Sequence, residues 1–138
     1  MKKLGLIFLA TFLTSFGRTE KISLNIEVES VKYINSKTSE LTLVLKNSSS
    51  KDLNFLTWSC SNDRLFSVDN DAVVVLETTC DKNISVTNVL PPNKSKVFKI
   101  KIQKKGVNPK FKIEFKCTFI PDSKQISTMS VWSNEMQL

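Results

Sequence analysis

A chain of 138 residues with 41% apolar and 24% charged residues has room for one domain and the composition of a globular one. Three glycines and four prolines exclude collagen-like and low-complexity linker readings, and a formal charge of +7 is compatible with anionic surfaces without demanding them. Histidine is absent, which excludes Ser-His-Asp and Cys-His nucleophiles and the common zinc sites.

The first 17 residues read as an export signal. Lys2 and Lys3 form a short positive region, and the uncharged run from Leu4 to Phe16 follows. Ser15 and Gly17 then supply the small residues that precede a cut before Arg18. The apolar run is about 13 residues, short of the roughly 20 that span a bilayer. No cysteine follows it to accept a lipid. The expected domains are therefore a signal peptide over 1–17 and a folded domain over 18–138. The expected location is exported: periplasmic, cell-surface or secreted, with no transmembrane segment after signal removal.

Beyond residue 18, apolar residues recur with period two, the spacing of half-buried strands. Ile22, Leu24, Ile26 and Val28 form the first strand, and Leu41, Leu43 and Leu45 the second, ended by the turn-forming residues 47–52. Shorter strands are expected at 53–58 and 66–68, with a hairpin turn at Asp69-Asn70-Asp71 leading into an apolar run at 72–76. Pro91-Pro92 makes a rigid turn, after which Phe98, Ile100 and Ile102 point one way and Lys99 and Lys101 the other. Residues 111–119 form one strand with Phe111, Ile113, Phe115, Cys117 and Phe119 on its apolar face. Residues 131–138 close the chain, with a bulge near Ser133-Asn134 that reconciles Val131 with Trp132, Met136 and Leu138. Seven or eight short strands without helical periodicity predict an all-β, two-sheet antiparallel sandwich.

Three cysteines allow one bridge and one free thiol, and an oxidising compartment permits the bridge. Cys60 and Cys80 sit in polar, turn-like sequence, whereas Cys117 belongs to an apolar strand face. This favours a Cys60–Cys80 disulfide with Cys117 buried and free; pairing through Cys117 is the alternative.

The strings Leu41-Thr-Leu-Val-Leu-Lys-Asn47, Trp58-Ser-Cys60, Cys80-Asp-Lys-Asn83, Leu90-Pro-Pro-Asn-Lys-Ser95 and Trp132-Ser-Asn134 resemble those of exported bacterial immunoglobulin-like proteins of the Bacteroidota type. The resemblance covers nearly all of the chain after the signal. It implies an immunoglobulin-like sandwich and supports the Cys60–Cys80 bridge, but carries over no activity. Pro92-Asn93 stands where Pro-Gly is usual, a departure that Asn tolerates.

Few constellations carry chemistry. The acids Asp63, Asp69, Asp71, Glu77 and Asp81 are read as loop solvation and caps rather than a catalytic pair. Asp69-Asn70-Asp71 has oxygens for calcium but lacks the glycine and distal glutamate of an EF-hand loop, so neither metal nor cofactor is expected. Lysines crowd residues 94–116, yet those of 97–102 and 111–119 should lie on opposite sheets. That leaves Lys104, Lys105 and Lys110 as candidate anion contacts. Nucleic acid is not an expected partner. Trp58 is expected to pack in the core near the bridge, and Tyr33 to be half-exposed. Asn47, Asn83 and Asn93 each begin an N-glycosylation triplet, without meaning in a bacterial source.

The expected function is a non-enzymatic exported module that binds a protein or an envelope glycan through a sheet face or through loops at 59–64, 81–92, 103–110 and 121–128. A monomer is the default. A loop-displaying enzyme inhibitor is the alternative; a glycan-binding domain is a further one, which a contiguous aromatic face would favour.

Overall fold

The computed structural model describes residues 22–120 and 126–138. The expected signal peptide lies outside the described residues, as does most of the expected 121–128 loop. In chain order the strands are β1 (Leu24–Tyr33), β2 (Thr38–Asn47), β3 (Leu53–Trp58), β4 (Phe66–Val68), β5 (Val73–Leu76), β6 (Ser85–Leu90), β7 (Ser95–Lys104), β8 (Lys110–Phe111), β9 (Ile113–Phe119), β10 (Ser127–Trp132) and β11 (Met136–Gln137). One 3₁₀ turn, Asn62–Leu65, separates β3 from β4. Among the described residues no helix is long and apolar enough to cross a membrane.

All pairings are antiparallel. One sheet has the order β1-β2-β7-β5; the other has the order β10-β9-β3-β6, with β4 also on β9; β8 and β11 form a small third pair. The alternating residues of the sequence face inward: Leu41, Leu43 and Leu45 of β2 and Phe98, Ile100 and Ile102 of β7 are all buried. Register pairs Leu43 with Phe98 and Leu41 with Ile100, so their side chains share one face. From the other sheet come Phe55, Phe66, Ile113, Phe115, Cys117 and Phe119. Phe115 sits at the centre, its ring centroid 6.0 Å from Phe55, 5.4 Å from Phe66 and 5.7 Å from Phe98. Phe66–Phe98, at 5.4 Å, joins the two sheets directly. The protein is thus all-β, its two main antiparallel sheets packed on one apolar core as in a sandwich.

Several expectations are corrected. β4 and β5 are not a hairpin: β4 pairs with β9 and β5 with β7, so the Asp69–Asp71 turn carries the chain from one sheet to the other. Polar side chains hold it there. Asp69 Oδ1 accepts from Lys112 N at 2.6 Å, Asn70 Nδ2 donates to Lys110 O at 2.8 Å, and Asn70 Oδ1 accepts from Ala72 N at 2.8 Å. The same clasp at Lys112 divides the expected 111–119 strand into β8 and β9. Segment 81–92 is not a loop, because it contains β6. Strand β6 shows no alternation in the sequence, since it is an edge strand in which only Leu90 is buried. Among the described residues eleven strands replace the expected seven or eight, three of them only two or three residues long.

The break near Ser133 is present. Ser133 is buried, its N donates to Ile113 O at 2.8 Å, and its Oγ accepts from Ile113 N at 2.9 Å. The interruption transfers the chain from β9 to β8, which lets Val131 and Leu138 both face the core while Trp132 is 45% exposed.

Candidate functional site

The cysteines set the geometry of the most distinctive surface. Cys60 and Cys80 are disulfide-bonded with Cα atoms 6.4 Å apart, and Cys117 is free and buried. Around the bridge, Ser59 N donates to Ile84 O at 2.9 Å, and Ile84 N donates to Ser59 Oγ at 3.2 Å. Asn83 Nδ2 donates to Ser61 Oγ, and Asn83 Oδ1 accepts from Cys60 N at 3.4 Å. Bridge and hydrogen bonds together staple the entry of β6 to the exit of β3. Asp63, buried in the 3₁₀ turn, accepts from Thr78 N at 2.7 Å, so this carboxylate serves as a tether.

From Phe55 towards the bridge β3 and β9 part. Their only register pair is Phe55 with Phe119, and β9 next pairs with β4 at Phe66–Phe115. The opening between them is a groove of about 460 Å³. Leu65 and Cys117 lie at its base, Leu56 and Trp58 of β3 form one side, and Thr118 and Thr128 the other. Ser85 and Lys116 complete the lining. Trp58 packs against the core but stays half-buried, short of the core position expected, and forms a wall of the groove. Ser85 and Thr128 are exposed and Thr118 and Trp58 half-buried, so the polar groups of the lining lie at the surface. Beside the groove, a hydrogen bond from Ser130 holds the Glu114 carboxyl below its ordinary value. A second hydrogen bond from Ser67 Oγ, at 2.8 Å, and the Lys116 charge act in the same direction.

Burial raises the Cys117 thiol from 9.0 to about 11. The fold thus favours the neutral thiol, and the unfolded chain ionises first. The associated stability is complete below pH 9.0 and is lost as pH rises towards about 11. Cys117→Val, which keeps an apolar group there, is expected to flatten this part of the alkaline limb. Urea midpoints measured across that interval for both proteins check it.

The lysine candidates do not form an isolated basic patch. Lys104 is half-buried, while Lys105 and Lys110 are exposed. Their backbones anchor the turn between β4 and β5: Lys105 N donates to Ala72 O at 2.7 Å, and Lys110 O accepts from Asn70. Asp69 and Asp71 therefore share this end of the molecule with them. Lys99 and Lys101 lie on β7 and Lys116 on β9, in opposite sheets, as expected from the sequence. Tyr33 is 65% exposed at the end of β1, beyond the half-exposure expected. Among the described residues no three His, Cys, Asp or Glu come together as a metal-holding group.

Asn47 had no assigned role in the sequence beyond opening a turn and a glycosylation triplet. It is fully buried, with Nδ2 donating to Lys51 O and to Leu90 O, each at 2.8 Å. Its Oδ1 accepts from Ser49 N at 3.0 Å and from Ser49 Oγ at 2.5 Å. One side chain thereby fixes the β2–β3 turn and the end of β6. The groove was equally hidden, because its walls come from strands distant in sequence. No protein-family model matches this chain, and no curated protein matches it in sequence.

Proposed function

We propose that this chain is an exported, non-enzymatic binding module of the immunoglobulin-like kind, which takes a saccharide of the cell envelope in the groove beside Trp58. The observation that carries the reading is a groove whose lining sets the Trp58 and Leu56 side chains beside the hydroxyl-bearing Ser85, Thr118 and Thr128. A pyranose ring alternates apolar C–H faces with hydroxyl edges. Trp58 and Leu56 offer the first a surface, and Ser85, Thr118 and Thr128 offer the second hydrogen bonds. No carboxylate lines the groove, and no histidine exists to activate a nucleophile.

Export is supported by the signal-like first 17 residues and by the disulfide, which persists in oxidising compartments. The immunoglobulin-like reading is supported by strand order. β1-β2-β7-β5 corresponds to the A-B-E-D layer and β10-β9-β3-β6 to a G-F-C layer extended by C′. The chain reaches the D position before the C′ position, and Cys117 on the F-like strand finds no cysteine on β2, so the connection and the bridge both depart from antibody domains. A loop-displaying inhibitor would need a long exposed loop, whereas segment 59–64 is pinned by the bridge and 81–92 is largely β6.

Titration of the purified protein with envelope polysaccharide fragments should change its tryptophan fluorescence in a saturable way. Trp58→Ala is expected to weaken binding at least about tenfold, or roughly 1.4 kcal/mol, with the circular dichroism spectrum unchanged. No saturable change with any envelope saccharide, or binding untouched by Trp58→Ala, would sink the reading.

A further inference from the structure

Against the default of a monomer, we propose that β6 is a self-association edge: two copies pair β6 with β6 antiparallel about a twofold axis. Their larger sheets then become one. Among the described residues β6 has β3 on one side, and no strand pairs with the other.

The other sheet edges are guarded. β1 carries Glu27, Glu29 and Lys32, its register shifts between Val28 and Ser30, and it lies beside β10, the far edge of the second sheet. Strand β5 is only four residues long and lies alongside β4. Charge, a bulge, shortness and cover are the usual protections of an edge. β6 has none of them. Its six residues, Ser-Val-Thr-Asn-Val-Leu, contain neither charge nor proline, and they pair with β3 through six successive positions without a shift. Val86 is 39% and Val89 56% exposed.

The free backbone groups can be assigned. Ile84 O accepts from Ser59 N on the β3 side. Antiparallel ladders alternate, so Ser85, Thr87 and Val89 direct N–H and C=O towards the open side. A second β6 centred on Thr87 satisfies all three residues: Thr87 meets Thr87 of the partner subunit, and Ser85 meets Val89 of the partner subunit. Such a register forms up to about six backbone hydrogen bonds and sets no like charges opposite one another. Identical strands related by a twofold use the same patch on each subunit, and the pairing stops at two because it consumes the edge.

The edge is also held ready. Besides the disulfide, Asn88 Nδ2 donates to Thr57 Oγ1, and Lys96 Nζ donates to Asn88 Oδ1 at 2.7 Å. Little ordering is left to oppose docking. The pairing would set two Trp58 grooves on one continuous face, which adds avidity towards a repeating polymer. Self-association itself does not depend on the ligand assigned above.

Sedimentation velocity tests this, from about 5 to about 500 µM because a six-residue strand pair buries less than the ~800 Å² per partner of a standard interface. The wild type is expected to shift from monomer to dimer over that range. Thr87→Pro removes a donor that faces away from β3, and Thr87→Lys brings like charges together at the axis. Both variants should remain monomeric at the top concentration, with melting temperatures within a few degrees of the wild type. A wild type that sediments as a monomer throughout overturns the proposal. So does a dimer that survives Thr87→Lys, whether or not Thr87→Pro folds.

Discussion

Replacing Asn47 by aspartate is expected to lower the free energy of unfolding by about 4 kcal/mol near neutral pH. The substitution keeps shape and volume, so packing is not what is lost. In the native protein the amide nitrogen donates to two carbonyls, Lys51 O and Leu90 O, while the amide oxygen receives both donors of Ser49. A carboxylate turns the donating half into an acceptor. It therefore sets oxygen against two carbonyl oxygens at a site with no exposure, and buries a charge there. Asn47→Ala should cost less, about 2–3 kcal/mol, because it leaves groups unpaired without opposing them. The aspartate defect should also shrink at acidic pH. A protonated carboxyl can donate to one of the two carbonyls, and this buried acid's folded-state value must lie above its unfolded one. Equilibrium urea unfolding of the three proteins at neutral and acidic pH measures both effects. Equal losses for aspartate and alanine would show that the polarity of the amide is not what matters.

The second large effect is at Phe115. Its ring touches those of Phe55, Phe66 and Phe98, drawn from both sheets, and it is fully buried. Phe115→Ala removes the centre of that cluster and leaves a cavity that rigid strands on all sides cannot close, at an expected cost of about 3–5 kcal/mol. Phe115→Leu, which retains most of the volume, should cost about 1–2 kcal/mol. An exposed control such as Val107→Ala, at a site 92% exposed, should stay within about 0.5 kcal/mol. Denaturant midpoints at constant slope give the ranking, and a small Phe115→Ala loss would mean that the two sheets are held together elsewhere.

Much of the interior was legible because the side-chain period of a strand is two. Leu41, Leu43 and Leu45, Phe98, Ile100 and Ile102, and the Phe111–Phe119 series each name a buried face without reference to any partner. The cysteine assignment followed the same logic, since polar, turn-like surroundings separated Cys60 and Cys80 from the apolar face that holds Cys117. Where a strand buries almost nothing the period carries no information, and β6, with only Leu90 buried, has none to show. The candidate groove was legible only in fragments. In the sequence Trp58 stands out only beside Cys60, whereas Thr118 and Thr128 carry no signal at all.

Local chemistry alone thus determined most of the strands and which of their residues are covered, and it favoured the Cys60–Cys80 bridge, because alternation and polarity act between near neighbours. Pairing was decided only in three dimensions. Whether Asp69–Asp71 closes a hairpin or crosses between sheets depends on Lys110 and Lys112, some 40 residues away. Whether β3 and β9 stay together or part depends on β4, which takes β3's place beside β9 at Phe66–Phe115. Contacts of that range lie beyond any window of sequence, and they are what opens the groove and leaves the β6 edge bare.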